Sequence, residues 1–194
     1  MTPRGRNSAD VVVVGGGTSG CIAAIAAART GADTLLVERY GFLGGTATLG
    51  NPFHGFMDGH GTLVVRGIAD ELIQRLVAEG GSPGHIRGMK WGPEAPPGIE
   101  YSVTPYDHEL IKYVLIKMCE ESGVRLLLHV LLTGAAVEGD RVDGVTVYTK
   151  SGRRDLSAKV VVDGSGDGDV AALAGAQFDY GGDKGTTNSP AMTH

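Results

Sequence analysis

Hydrophobic and polar positions change period several times along the chain, and each change marks an element. Asp10 to Val14 is a β-branched run that stops at Gly15-Gly16-Gly17, the pattern of a strand buried on both faces of a parallel sheet. Thr18 to Thr30 follows as an alanine-rich helix closed by Gly31, and Asp33 to Glu38 reads as a second buried strand. Strand, helix and strand make a βαβ unit. Ile68 to Glu79 has helical periodicity, with Ile68, Leu72, Ile73, Leu76 and Val77 on one face and Gly80-Gly81 as its stop.

The proline-rich stretch Ser82 to Gly98 has no period and predicts a surface loop or lid. Trp91, within it, and Tyr101, just past it, read as surface anchors, or as caps of a substrate pocket. Thr104-Pro105 predicts a helix start, Thr as N-cap and Pro in the first position, ahead of the stripe Leu110, Ile111, Val114, Leu115 and Met118. After Gly123 the period becomes strand-like. Arg125 to Val130 and a segment ending near Val137 predict strands, and Gly139-Asp140 predicts a hairpin into Val142 to Thr149. Beyond a turn at Ser151-Gly152, Lys159 to Val162 predicts a final buried strand that runs into Gly164 to Gly168, with a helix from Val170 to Ala174.

Composition narrows the classes. A formal charge of −5 over 194 residues argues against nucleic acid or an anionic membrane as the main partner. The longest apolar run, Cys21 to Ala28, is far too short for a bilayer, and nothing at the start has the form of a secretion signal. With two cysteines, no disulfide framework and no CxxC pair, the expected setting is the reducing cytoplasm. Cys21 reads as a small buried helix residue and Cys119, near a helix end, as core or surface filler. The six histidines have no metal-ligand spacing, so no metal is expected.

Glycine changes the picture most. Its 32 residues fall in clusters, which signal tight turns and close approach to the backbone. Gly15, Gly17 and Gly20 satisfy G-x-G-x-x-G after a strand and at a helix start, and Glu38 ends the next strand. In that setting Gly15 permits the turn, Gly17 lets a pyrophosphate approach, and Gly20 lets helix pack on strand. The helix N-terminus offers N–H groups to phosphate, and the Glu38 carboxylate can accept from two ribose hydroxyls. Both FAD and NAD fit this half of the pattern. A second cluster at Gly44-Gly45-Thr46, the antiparallel meander between Val130 and Ser157, and the third cluster at Gly164 to Gly168 favour FAD over an NAD-dependent dehydrogenase domain.

The segments DVVVVGGGTSG, LLVER, FLGGTAT, GIADELIQRL, VTPYDHELIKYVLIKMCEESGVRLLLHV and VVDGSGDGDVAALAGA resemble FAD-dependent oxidoreductases of the two-dinucleotide-binding-domain type, with the glutathione-reductase-like fold, and more distantly the fumarate reductase flavoproteins. The resemblance runs from Asp10 to about Ala176. It implies an α/β fold: a Rossmann-like FAD domain of residues 1–48 and 123–176, with a parallel sheet, helices and the meander. It also implies an inserted helical and loop region at 49–122 and the start of a crossing to a substrate domain at 177–194.

The resemblance also implies roles. Gly15, Gly17 and Gly20, with Thr18 and Ser19, would face the pyrophosphate, and Glu38 and Arg39 would hold the adenosine. Gly44, Gly45 and Thr46 would line the pyrophosphate and ribityl, with Thr48 on the path to the flavin ring. His129 or Val130 would give backbone contacts to adenine, and Asp163, Gly164, Ser165, Gly166 and Asp167 would form a return loop. His54, just past the second cluster, is the candidate for proton transfer or a covalent flavin link; its plainer reading is a loop histidine in solvent. The function implied is hydride transfer between a small molecule and flavin. Because such flavoproteins are considerably longer, the resemblance further implies a heteromer in which a second polypeptide, or a downstream part, completes the FAD and substrate sites. The alternatives are a non-catalytic FAD-binding subunit and the NAD-dependent domain.

Overall fold

A computed structural model of the chain describes residues 7–89 and 101–178. Trp91, most of the expected proline-rich loop and all but the first two residues of the expected crossing segment lie outside the described residues. In chain order the elements are β1 (Ser8–Val14), α1 (Thr18–Arg29), β2 (Thr34–Val37), a 3-10 turn (Gly45–Thr48), β3 (Phe53–His54), α2 (Ile68–Ala78), β4 (Ile86–Met89) and β5 (Tyr101–Thr104). They continue with α3 (His108–Glu121), β6 (Arg125–Leu127), β7 (Leu131–Glu138), β8 (Arg141–Thr149), β9 (Gly152–Asp163) and α4 (Asp169–Leu173). The described residues fall into two compact units, the first within Met1–Phe42 and Cys119–His194 and the second within Leu43–Met118.

The first unit is built on a six-stranded sheet in the order β6-β2-β1-β9-β8-β7. β1 pairs in parallel with both β2 and β9, and β6 extends the parallel part beyond β2. Alternation along β1 sends Val12 and Val14 into a cluster with Leu35, Val37, Val145, Val147, Leu156 and Val170. β7, β8 and β9 form the antiparallel meander. The expected last strand, Lys159 to Val162, is the end of a longer one: the 12-residue β9 runs antiparallel to β8 up to Ser157 and parallel to β1 from there on. It is also not buried as expected. Val160 is 52% exposed, while its neighbour Val161, on the opposite face of the sheet, packs against the core cluster. β6 stops at Leu127 instead of Val130, because His129 takes a left-handed conformation (φ 56°) that ends the strand.

The second unit has the three-stranded antiparallel sheet β3-β5-β4 with α2 and most of α3. Leu72, Ile73 and Leu76 bury one face of α2, while Val77, expected on that face, is 45% exposed. The stretch expected as a loop holds β4, with Ile86 opposite Val103. The expected helix start is also displaced. Thr104 belongs to β5, where it pairs with Phe53, and α3 begins at His108. Asp107 supplies the cap: its Oδ1 accepts from the N–H groups of Glu109 (2.8 Å) and Leu110 (2.9 Å). An acidic acceptor two and three residues ahead of those donors outcompetes the Thr-Pro pair, whose β-branched member completes a strand.

Candidate cofactor-binding site

β1 and β9 end side by side, and each ends in a glycine cluster. Gly15, at φ 96°, sits where a Cβ would overlap the carbonyl of Gly164, and a Cβ on Gly20 would overlap the carbonyl of Gly15. Gly164 in turn donates its N–H to the Val14 carbonyl at 2.7 Å. These three glycines let two loops and the start of α1 pack backbone to backbone. Gly17 differs. Its φ is −66°, and a Cβ there would meet nothing within 4 Å. Among the described residues no packing requires glycine at this position, which is the cap of α1, and Gly17 leaves open space where its side chain would be. Thr18 and Ser19 open the first turn, which has no side-chain cap and no acidic residue.

Glu38 follows β2 and is 8% exposed. Its Oε2 accepts the Gly16 N–H at 2.6 Å and its Oε1 accepts the Tyr40 N–H at 2.8 Å. A carboxylate has about four acceptor sites, so two further hydroxyls can be accommodated. Sequence reasoning missed this bracing role, which ties the glycine loop to β2. It also missed Cys21, whose buried thiol donates to the Gly16 carbonyl at 3.2 Å. A helical cysteine directly after the glycine loop is the only signal for that bond, and it is shared by many core cysteines.

The third cluster is shaped by its own side chains. Asp163 Oδ1 accepts from the Ser165 hydroxyl (2.6 Å) and N–H (3.1 Å), and Oδ2 accepts from the Ala171 N–H (3.0 Å). The Ser165 oxygen then accepts the Asp169 N–H at 2.9 Å, at the start of α4. Partial burial opposes ionisation of Asp163, but the Ser165 hydroxyl and the N–H groups of Ala171, Ser165 and Val170 outweigh it and hold the carboxyl below its usual range. Gly166 (φ 93°) and Gly168 (φ 73°) carry the turns, and Asp167 is exposed between them.

His129 and Val130 lie where β6 passes β2. Their N–H groups donate to the carbonyls of Tyr40 (3.2 Å) and Glu38 (3.0 Å), so these donors are used within the chain. The His129 imidazole rests against Gly41, where a Cβ would come within 2.6 Å of its Nε2. Arg39, Tyr40, His129, Leu131, Tyr148, Thr149 and Lys150 line an open groove of about 540 Å³. The Arg39 guanidinium lies 4.7 Å from the Tyr40 ring centre, and Tyr40 stacks on Phe42 at 5.4 Å.

The remaining expected residues belong to the second unit. Gly44 (φ 120°) and Gly45 (φ 53°) lead into the 3-10 turn that carries Thr46 and Thr48. The Thr48 hydroxyl donates to the Gly45 carbonyl at 2.8 Å. His54 is exposed in β3. The same unit holds a histidine that sequence reasoning passed over: His85 lies 2.7 Å from the Thr104 hydroxyl through Nδ1, 3.5 Å from Asp70 through Nε2, and stacks on Phe56.

A parallel β-α-β start, a glycine loop at a helix N-terminus, an acidic residue after the second strand and a meander returning into the sheet define a Rossmann-like FAD-binding domain. The chain belongs to the FAD dependent oxidoreductase family, whose model matches residues 10–194. FAD is the cofactor of that family, which decides against the NAD alternative. The open space at Gly17 and the spare acceptor capacity of Glu38 fit such a ligand. The chain is 29% identical over 157 residues to the tRNA uridine 5-carboxymethylaminomethyl modification enzyme MnmG of Geobacter metallireducens, a match that covers 79% of this chain and 23% of that protein. It therefore spans about a quarter of the length of the curated relatives it matches. Among solved structures it shares its fold with L-proline dehydrogenase from P. horikoshii, with a TM-score of 0.65 at 17% identity over 94% of this chain and 63% of that one. It also shares its fold with a flavocytochrome c3 fumarate reductase, with a TM-score of 0.58 at 22% identity over 82% and 34% of the two chains.

Proposed function

We propose that the chain is the FAD-binding part of an oxidoreductase that works by hydride transfer on a small molecule. The observation that carries this reading is Gly17: at an ordinary φ and with no neighbour for a Cβ, its missing side chain serves a ligand and not the fold. When bound, FAD supplies the hydride-accepting and hydride-donating ring. This chain's residues bind and orient it. Gly17, Thr18 and Ser19 face the pyrophosphate at the uncapped N-terminus of α1. Glu38 keeps its bonds to Gly16 and Tyr40 and accepts from the adenosine ribose hydroxyls. Arg39 and the turn at His129 and Val130 border the adenine. The Gly164–Asp167 loop acts by backbone, since the Asp163 and Ser165 side chains are committed to shaping it.

By resemblance to the family, Gly44, Gly45, Thr46 and Thr48 serve the ribityl side, and His54 is the candidate proton donor. Further polypeptide, in the same or a second chain, completes the substrate site; the match to the curated relatives, which covers only 23% of their length, supports this. A small-molecule substrate is supported by the net charge of −5 and by described basic residues that pair with acids, as Arg141 does with Asp143 and Arg153 with Asp155, and a cytoplasmic setting by two cysteines, Cys21 and Cys119, that are free thiols. The MnmG relatives make tRNA the second reading. Calorimetric titration tests the core of the proposal. FAD should bind at one equivalent and NAD more weakly by orders of magnitude, and Glu38→Ala should cost about 1.5–3 kcal/mol of FAD affinity. Equal binding of NAD, or an unaffected Glu38→Ala variant, contradicts it. Tight, salt-sensitive binding of tRNA by the FAD-loaded protein would favour the second reading.

A further inference from the structure

We propose that Tyr106 is a positioning residue for the flavin-side segment, a clamp that sets the backbone of Gly44 to Asn51. The inference rests on the reading of Gly44, Gly45, Thr46 and Thr48 as cofactor-lining residues.

The segment between Gly44 and Pro52 contains no strand; its short-range bonds include Ala47 N–H to Gly44 (3.1 Å), Leu49 N–H to Thr46 (3.0 Å) and the Thr48 hydroxyl to Gly45. It carries three glycines with positive φ, Gly44, Gly45 and Gly50, so its backbone is inherently permissive. A side chain from outside the segment joins two of its carbonyls. The Tyr106 hydroxyl lies 2.9 Å from the Ala47 carbonyl and 2.8 Å from the Asn51 carbonyl. A phenol has a single proton, so it donates to these two acceptors by sharing or alternation, and both ends of the Ala47–Asn51 stretch are drawn to one atom. That atom is fixed. Tyr106 is 8% exposed, its ring stacks on Phe53 at 4.6 Å, and it meets His108 edge-on at 5.8 Å. The hydroxyl is thus the one polar tip of an otherwise apolar anchor, aimed at the carbonyls of the turn.

A merely structural tyrosine would affect stability alone. A positioning tyrosine changes what the turn presents to the flavin half of the cofactor and leaves the adenosine half alone. Tyr106→Phe keeps the ring and removes the clamp. In the purified protein, amide exchange at Ala47 and Leu49 should rise about tenfold, and FAD affinity should fall about fivefold to tenfold, the scale of one net hydrogen bond. The visible absorption of bound flavin should shift, and ADP, used as a probe of the adenosine half, should bind as in the wild type. Should that variant fail to fold, Phe53→Leu unseats the ring while keeping the hydroxyl, and it should move the same readings in the same direction by less. Unchanged exchange at Ala47 and Leu49 overturns the clamp. Faster exchange with unaltered FAD affinity and flavin spectrum overturns the positioning role. Equal weakening of ADP and FAD reduces Tyr106 to a structural residue and also overturns it. Failure of the underlying reading looks different: the wild type itself would then show no protection of Ala47 and Leu49 on adding FAD.

Discussion

The glycines of the first loop do two different jobs, and substitution separates them. Gly20→Ala places a Cβ against the Gly15 carbonyl, so it should destabilise the protein by about 2–4 kcal/mol in urea unfolding, with or without cofactor. Gly17→Ala meets no neighbour, so its unfolding should differ from wild type by only about 0.5–1 kcal/mol, the cost of alanine at a helix cap. Its FAD affinity should fall at least tenfold. A Gly17→Ala variant that loses stability and keeps FAD would reverse the assignment. The spacing of Gly15, Gly17 and Gly20 was legible without coordinates, because each follows from strand, turn and helix geometry. That Gly15 and Gly164 touch was not legible, since contact between loops so distant in sequence depends on β9 lying beside β1. Nor was the second role of Glu38, because a carboxylate suited to ribose is equally suited to a backbone N–H. Asp163 adds a pH signature. Its carboxyl titrates below the usual range, so it stabilises the third loop at neutral pH, and that contribution is lost as pH falls through the acid range. Asp163→Asn should therefore flatten the acid limb of a thermal-midpoint profile.

Elements on opposite ends of the parallel sheet should respond independently. Arg125 in β6 grips both carboxylate oxygens of Asp33, at 3.0 and 3.2 Å, and the Ser8 carbonyl at 2.7 Å, tying together the starts of β1, β2 and β6. Arg125→Ala should cost about 1–2 kcal/mol in denaturant unfolding. Because the glycine loop lies at the other ends of these strands, FAD affinity should not change. In the second unit, burial pushes the Tyr106 phenol up to about 12 from 10.0. The folded state therefore favours the neutral phenol: its contribution is whole below about pH 10 and is lost as pH rises toward about 12. Thermal midpoints should fall over that range in the wild type and less in Tyr106→Phe. The second unit was also the harder one to read. Thr104-Pro105 has the form of a helix start, yet the strand partner Phe53 and the cap Asp107 decide otherwise. β4 has no period because it is four residues long with an irregular register, and only its pairing with β5 defines it. By contrast α1, α2 and the β7–β8 hairpin follow closely from glycine stops and apolar spacing, which are local signals.

For the molecule as a whole, the chain belongs to the FAD dependent oxidoreductase family, and in the proposed function it contributes recognition of the cofactor. The residues that recognise a dinucleotide announce themselves because phosphate and ribose demand backbone shapes that only particular sequences adopt. Those that select a substrate are side chains on loops and leave no comparable pattern. The claim on which the rest depends is that the loop from Gly15 to Gly20 holds the pyrophosphate. A crystal structure of the protein with FAD tests it directly. The pyrophosphate should lie against the Gly17 backbone at the N-terminus of α1, with the adenosine ribose hydroxyls donating to Glu38 while its bonds to Gly16 and Tyr40 persist. A pyrophosphate bound elsewhere, with the space at Gly17 filled by water and Glu38 bonded only to the backbone, would contradict it.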